Sequence, residues 1–455
     1  MFTNEELDKI IKAYDIRGLV VDEITPEFTF VLGTAFARFL MEEREPARVV
    51  IGEDMRPSSE DLATAFADGL NSQGMDAVRI GLASTDMLYF ASGSLNLPGA
   101  MFTASHNPAA YNGIKLSKSG ARPIGSDSGL LRIKQLIHDG VPMSMGAMGR
   151  TSKIELLEDY VDFLLSLFKT DEFSSGRKLK VVVDAGNGMA GFTAPAIFSR
   201  LNVELTPLFF ELDGNFPHHE ANPIDPKNLR DLIKKVKQVK ADIGLAFDGD
   251  ADRCFLVDER GEIVNPSALT ALIAIRELKR KPGSAIIYNL ISSQAVPEII
   301  VEHGGIPLRS RVGHSYIKKM MAESGAIFGG EHSGHFYFDD FWRADSGALA
   351  ALFAIAELSY SERALSELLA PLSRYESSGE INTVVANPDE SIALIKANYE
   401  VDYEIDELDG LTVKASDWWF NLRPSNTEPL LRLNVEANSK EQVLKISNEV
   451  LSLIR

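Results

Sequence analysis

Apolar residues in this chain come mostly in short β-branched runs, each followed by a stretch with helical spacing. Arg48-Val49-Val50-Ile51 predicts a strand, and residues 60–70 predict the helix after it. Lys180-Val181-Val182-Val183-Asp184 repeats the strand, with a helix-compatible run after Gly191. Within residues 241–247, Ile243, Leu245 and Phe247 alternate as a strand does. Ala285-Ile286-Ile287-Tyr288 leads into a helical pattern over 292–303. Strands that alternate with helical stretches predict α/β domains. The strand-turn-helix theme recurs near residues 50, 183 and 287, which points to repeated domains of like build. The last segment has a different rhythm. Trp418-Trp419-Phe420-Asn421-Leu422 and Leu431-Arg432-Leu433-Asn434-Val435 predict paired strands around a polar loop. Residues 439–453 then predict a helix, with Ser439 as its cap and Glu441 and Gln442 in the first turn.

Three breaks divide this pattern. The Met- and Gly-rich stretch at 141–149 reads as a linker, a second break follows Cys254-Phe255-Leu256-Val257, and a third falls near 371–379. The 455 residues, 45% of them hydrophobic, suit about three or four domains. A single cysteine, Cys254, excludes an internal disulfide framework and fits a reducing cytosol. The first residues lack the basic start and apolar run of a signal peptide. The longest apolar-rich stretch, 347–358, is too short to span a bilayer. A formal net charge of -19 disfavours nucleic acid and anionic membrane as partners. A small anionic ligand is compatible with that charge where basic groups converge locally.

Five polar segments stand out. Thr103-Ala104-Ser105-His106-Asn107-Pro108 sets a hydroxyl beside an imidazole, and Pro108 keeps Asn107 out of the helical region, so Ser105 is expected on an exposed turn. On its own such a pair is usually an ordinary surface pair. Asp248, Asp250 and Asp252 follow an apolar strand at i, i+2, i+4, which in an extended loop puts three carboxylates on one side. Two such charges about 4 Å apart repel by about 4 kcal/mol at an effective dielectric near 20, and a hard cation held by oxygens relieves this. The bland alternative is a solvated acidic turn. An EF-hand loop, with Glu259 at its twelfth position, fails because Arg253 stands where Gly is needed and a strand leads in.

Gly186-Asn187-Gly188-Met189-Ala190-Gly191 spells a dinucleotide-binding fingerprint after a strand, with Glu204 or Glu211 as the ribose acid; a plain glycine-rich turn is the alternative. Gly329-Gly330-Glu331-His332-Ser333-Gly334-His335 packs hydroxyl-binding groups among glycines, or is a polar surface loop. Arg423-Pro424-Ser425-Asn426-Thr427 combines a guanidinium fork with short donors in the proposed hairpin, with Arg432 on the return strand; this suits a phosphate, or is a simple β-turn.

Together these segments resemble the α-D-phosphohexomutase superfamily, most closely its phosphomannomutase/phosphoglucomutase branch, over essentially the whole chain. Thr103 to Pro108 resembles the phosphoserine loop, Asp248 to Arg253 the metal loop, Gly330 to His335 the sugar-binding loop and Arg423 to Thr427 the phosphate-binding loop. Tyr14-Asp15-Ile16-Arg17-Gly18 resembles the N-terminal motif. In that family the Gly186-x-Gly188 turn is a structural feature, which demotes the dinucleotide reading.

The resemblance implies three similar mixed α/β domains plus a smaller C-terminal α+β domain around a central cleft. The divisions are expected at 1–150, 151–255, 256–368 and 369–455. It implies an intramolecular phosphotransferase that interconverts mannose or glucose 1- and 6-phosphates through a phosphoserine and a bisphosphate. Ser105 would carry the phosphoryl group. Mg²⁺ would sit on Ser105, Asp248, Asp250 and Asp252. Arg253 would add a fork nearby, and His106 or Lys115 would move the proton. Tyr14, Arg17, His314, Glu331, Ser333, His335, Arg423, Ser425, Asn426, Thr427 and Arg432 would hold substrate. A hexose 1,6-bisphosphate would prime the enzyme, in a cytoplasmic monomer or weak homodimer.

Some positions depart from the family. His332 varies in that loop, and His fits the mannose/glucose branch better than the glucosamine branch. Ile291 is apolar where some relatives are basic, and Asp345-Ser346-Gly347 replaces an Asp-Asp-Gly pattern. Rival functions are a phosphoglucosamine mutase, a nicotinamide-dependent oxidoreductase built on 186–191, and a non-catalytic sugar-phosphate sensor.

Overall fold

The computed structural model describes residues 2–142, 144–169, 171–424 and 430–454. The chain divides into two compact units, Met1–Val264 with Ser333–Leu368, and Asn265–His332 with Leu369–Arg455.

The first unit holds two sheets. One runs in the order Ile16–Leu19, Tyr111–Lys118, Gly99–Phe102, Arg48–Glu53, Asp76–Leu82, Thr151–Lys153. The central strands pair in parallel: Arg48–Glu53 lies between Asp76–Leu82 and Gly99–Phe102. Buried on both faces, such strands need no alternation, which is why Val49, Val50 and Ile51 are all fully buried. The strand at Thr151–Lys153 joins the far edge of this sheet, beyond the Met/Gly-rich stretch. The helices Pro26–Glu42 and Ser59–Ser72 cover one face and share with it a core built on Phe28, Phe36, Phe66 and Phe102.

The second sheet runs Cys254–Asp258, Ile243–Phe247, Leu179–Asp184, Val203–Leu208. Leu179–Asp184 and Ile243–Phe247 are parallel, and Cys254–Asp258 returns antiparallel across the acidic turn. A short hairpin, Phe336–Phe338 with Ala344–Asp345, leads into the apolar helix Gly347–Ser359.

In the second unit, Ile306–Ser310, Ala285–Asn289 and Phe328–Gly330 are parallel neighbours. A separate antiparallel sheet is ordered Glu376–Val384, Leu430–Ala437, Trp418–Pro424, Leu411–Lys414, Glu404–Asp406. The helices Pro388–Tyr399 and Lys440–Ile454 pack on it. The expected cap is present: the backbone N–H of Gln442 donates to Ser439 Oγ at 3.3 Å.

Candidate active site

Three polar turns of the first unit follow the carboxyl ends of strands. Gly99–Phe102 delivers Ser105, Ile243–Phe247 delivers Asp248, and Arg48–Glu53 delivers Asp54 and Arg56. In parallel sheets these ends are where ligands gather.

Ser105 lies on a turn, but the expectation that it is exposed is corrected: it is only 2% accessible. Arg56 accounts for this. Its buried guanidinium donates to the carbonyls of Ser105 (2.9 Å), Asn107 (2.7 Å), Pro108 (2.9 Å) and Tyr111 (3.0 Å). Asp54 holds Arg56 in place through Nε at 3.2 Å and the backbone N–H at 3.0 Å. Five backbone and side-chain acceptors thus converge on one cation, and the loop is pinned inward. Ser105 itself takes a left-handed φ of 49°. For a residue with a β-carbon this stores of order 1 kcal/mol or more. Its N–H donates to Thr103 Oγ1 at 2.9 Å, and its hydroxyl donates to Asp248 Oδ2 at 2.8 Å.

The acidic loop is a tight turn rather than the extended loop the spacing predicts. Ala251 N–H closes back on the Asp248 carbonyl at 3.1 Å, and Ala251 takes φ 61°. The three carboxylates still meet, with ligand atoms within 4.8 Å of one another, and all are buried. Burial, with Asp252 and Asp250 alongside, pushes the Asp248 carboxyl well above its ordinary range. Burial acts the same way on Asp252, but Lys115, His335 and Arg253 outweigh it and hold that carboxyl well below.

Lys115 Nζ donates to Asp250 Oδ2 and Asp252 Oδ2, each at 2.6 Å. Burial opposes its charge, yet the two carboxylates lift the ammonium well above its usual value. Asp250 Oδ1 accepts no hydrogen bond among the described residues. A buried carboxylate oxygen without a donor, in an all-oxygen set, fits a hard divalent ion. A second potential ligand group, Asp252 with His335 and Asp345, shares one carboxylate with the first.

Arg253 Nη2 donates to His106 Nδ1 at 3.0 Å, and the same nitrogen lies 3.2 Å from Ser105 Oγ. Burial, with Arg253 and Arg17 nearby, pushes His106 well below its ordinary value. Arg17 donates to Asn107 Oδ1 at 2.5 Å and pairs with Asp15, which ties the N-terminal motif to the Ser105 loop. Tyr14 is half-buried in the turn before Arg17. His335 lies 3.5 Å from Asp252 and accepts or donates at 2.9 Å to Ser333.

The glycine turn is engaged in packing. A β-carbon on Gly188 would stand 2.7 Å from the Gly249 carbonyl, and one on Gly249 would stand 2.4 Å from the Ser105 carbonyl. The turn therefore backs the acidic loop, and that loop backs Ser105. This is a structural use of the fingerprint letters, with no need of a dinucleotide.

In the second unit, Glu331 is buried and accepts from Asn289 Nδ2 at 3.3 Å and Gly313 N–H at 3.2 Å. The boundary between the units falls inside the sugar-type loop, between His332 and Ser333. His314 opens the helix His314–Ser324, and its side chain lies outside the described ones. Arg423 is buried and donates to Glu380 Oε2 at 2.7 Å; Arg432 Nη1 lies 3.6 Å from Oε1 of the same carboxylate. Ser425, Asn426 and Thr427 lie outside the described residues. Ile291 is buried and lines a small cavity with Ser293, His332, Trp419 and Glu436.

Sequence reasoning missed Asp54, Arg56, Thr85 and Asp86. Thr85 Oγ1 donates to Asp250 Oδ2 at 2.5 Å. Ser346, the departure from Asp-Asp-Gly, caps the helix Gly347–Ser359 and donates to Asp86 Oδ2 at 2.6 Å. The usable signal was position: Asp54 and Arg56 follow the carboxyl end of a parallel strand whose middle, Val49-Val50-Ile51, is apolar and buried, and such strand ends are where ligands gather.

Comparison with known proteins agrees with this geometry. Three alpha/beta/alpha domains of phosphoglucomutase/phosphomannomutase match residues 8–140, 158–261 and 265–375, and its C-terminal domain matches 380–453. A phosphomannomutase of Escherichia coli is 37% identical over 455 residues, covering 98% of each chain. A protein described as phosphohexose mutases, from Xanthomonas campestris, is 38% identical over 449 residues and 98% of each. A crystal structure of a phosphoglucomutase/phosphomannomutase family protein from Burkholderia thailandensis superposes with TM-score 0.90 at 33% identity, covering 100% of this chain and 97% of that one. Fold and acidic site define a phosphohexomutase, a phosphotransferase of the isomerase kind. The chain belongs to the phosphoglucomutase/phosphomannomutase family, with its three α/β domains and C-terminal domain. Among the described residues no helix is long and apolar enough to cross a membrane.

Proposed function

We propose that this protein interconverts the 1- and 6-phosphates of mannose and glucose in the cytoplasm, using Ser105 as the phosphoryl carrier. The carrying observation is the position of Ser105 Oγ, 2.8 Å from Asp248 and 3.2 Å from the His106 imidazole, on a turn held by Arg56. The divisions at 1–150, 151–255, 256–368 and 369–455 remain our reading of the domain limits.

In this scheme the resting enzyme bears a phosphate on Ser105. A hexose hydroxyl attacks that phosphorus, the Ser105 Oγ–P bond breaks, and the hydroxyl proton passes to a nearby base. His106 is one candidate, and Lys115, once its ammonium has given up a proton, is the other. The hexose 1,6-bisphosphate then returns its other phosphate to Ser105, and the same bisphosphate serves as priming activator. Asp248, Asp250 and Asp252, with the phosphorylated Ser105, would hold Mg²⁺, which would supply charge compensation for the transferring group. Arg253 adds positive charge beside Ser105. Tyr14, Arg17, Ser333, His335, Glu331 and His314 hold the sugar. Arg423 and Arg432, with Ser425, Asn426 and Thr427, receive the phosphate that is not reacting. The ligands are small sugar phosphates, and the protein acts as a monomer or weak homodimer.

Intact-mass analysis of fresh protein tests the carrier. An adduct of one phosphate mapped to Ser105, lost on incubation with mannose 6-phosphate, is expected; no adduct before or after addition of glucose 1,6-bisphosphate rejects the scheme. A coupled assay with mannose, glucose and glucosamine 1-phosphates tests the sugar. A higher kcat/KM for glucosamine 1-phosphate would reassign the substrate.

A further inference from the structure

Arg423 and Arg432 stand directly opposite each other in the antiparallel pairing of Trp418–Pro424 with Leu430–Ala437. Like charges in that register repel. The remedy comes from the third strand. Glu380, on Glu376–Val384, reaches Arg423 at 2.7 Å and Arg432 at 3.6 Å, one carboxylate oxygen to each. The strand carries a register irregularity between Ser377 and Glu380, with Gly379 at φ 66°, immediately before this carboxylate. The Arg423 side chain is 7% accessible and that of Glu380 is 25% accessible, so the cation is fixed and the carboxylate borders solvent.

A carboxylate hydrogen-bonded to one guanidinium and ion-paired with a second engages cations of the kind that bind a phosphate ester. Two arginines with no counter-charge would hold a dianion tightly. A mutase needs the opposite at one point in its cycle, because the anchored phosphate must leave this site for the second transfer.

We propose that Glu380 is an internal counter-anion that competes with the substrate's phosphate for Arg423 and Arg432, weakening their hold so that the ester is released between transfers. This rests on the reading of Arg423 and Arg432 as the phosphate site. Glu380 is a positioning and tuning residue; it takes no part in bond making. It moves with affinity and release, whereas a merely structural residue would affect folding and leave the KM-to-kcat balance alone.

The experiment is steady-state kinetics with mannose 1-phosphate, with inhibition by inorganic phosphate, on wild type, Glu380→Gln, Glu380→Asp and Arg423→Gln. Glu380→Gln should lower KM and the phosphate inhibition constant at least threefold and lower kcat, while Glu380→Asp, which keeps the charge, stays near wild type. Glu380→Thr, suited to a strand, gives the same test should the amide variant fold poorly. Unchanged or raised KM and inhibition constant in the charge-removing variants overturn the proposal, as does equal tightening in Glu380→Asp. Arg423→Gln separates the two levels. Raised KM and inhibition constant there uphold the phosphate site whatever Glu380 does; wild-type values overturn the site, and the role of Glu380 with it.

Discussion

Ser105 donates its hydroxyl hydrogen to Asp248 across 2.8 Å, joining positions 143 residues apart in the chain. The bond links the turn after one sheet to the turn after the other, and it places the proposed phosphoryl carrier on the rim of the acidic cluster. Ser105→Ala removes that oxygen without disturbing the backbone. Turnover of mannose 1-phosphate should fall by more than about 10³-fold, as expected when a covalent carrier is lost. The melting temperature should stay close to wild type. Residual turnover at native speed would exclude the covalent relay.

Arg56 gives a prediction about positioning. Arg56→Lys keeps one charge but loses the planar fork that serves four carbonyls, and each buried acceptor left unsatisfied costs about 1–3 kcal/mol. A kcat lowered by about 10²-fold, with KM changed much less, is the expected signature of a misplaced Ser105. A drop in melting temperature should accompany it. Native kcat in a folded Arg56→Lys variant would show that the loop holds its shape without the clamp.

Lys115 makes the metal testable without an activity assay. In chelated protein its ammonium is the cation between Asp250 and Asp252. Lys115→Met removes the ammonium that Asp250 and Asp252 share, and removing one partner of a buried pair costs about 3–5 kcal/mol. Mg²⁺ should restore much of this, so the rise in melting temperature on adding Mg²⁺ should be larger in Lys115→Met than in wild type. Equal rises would argue against a metal on these carboxylates. Chelation of wild type should abolish turnover, with Mg²⁺ restoring it.

Gly249 is a steric test of the same junction. Gly249→Ala places a methyl 2.4 Å from the Ser105 carbonyl oxygen, a contact that must move one loop or the other. Stability should fall by about 1–3 kcal/mol, and kcat should fall with it. Denaturant unfolding and kinetics on one preparation check both.

Asp86 sets a pH dependence. Burial pushes its carboxyl up to about 6, against the opposing hydrogen bonds from Ser346 and Ser84. Its unfolded value is about 3.9. Between those values the folded chain holds a proton that the unfolded chain releases, so the stability owed to protonated Asp86 is present at low pH and declines as pH rises to about 6. The full decline is roughly 3 kcal/mol. Asp86→Asn lacks this titration. Its stability relative to wild type should therefore improve from pH 4 to pH 7 in urea unfolding. A difference that stays flat with pH would show that Asp86 does not titrate there.

Much of this was legible from sequence because it depends on local chemistry. Val181-Val182-Val183 and Val49-Val50-Ile51 mark buried parallel strands by composition alone, and the paired strands around residues 424–430 follow from alternation and a polar turn. Asp248, Asp250 and Asp252 show their common purpose through spacing, whatever shape the loop takes. Arg56 was invisible because its value lies in four carbonyls up to 55 residues away, and no periodicity records such a partner. The glycine fingerprint misled for a related reason. Its letters specify a tight strand-to-helix turn, but what lies against that turn, here Gly249, is a neighbour in space only.

The chain's own order of residues determined which chemical groups exist and on which strand ends they sit, since backbone preference and side-chain burial act over a few residues. Tertiary packing decided their state. It buried Ser105, lifted Asp248 and lowered Asp252 through their differing neighbours, and set Glu380 between two facing arginines. Those outcomes depend on dielectric surroundings and on charges that meet only when distant segments close together, and electrostatic energy depends on distance in space, not along the chain.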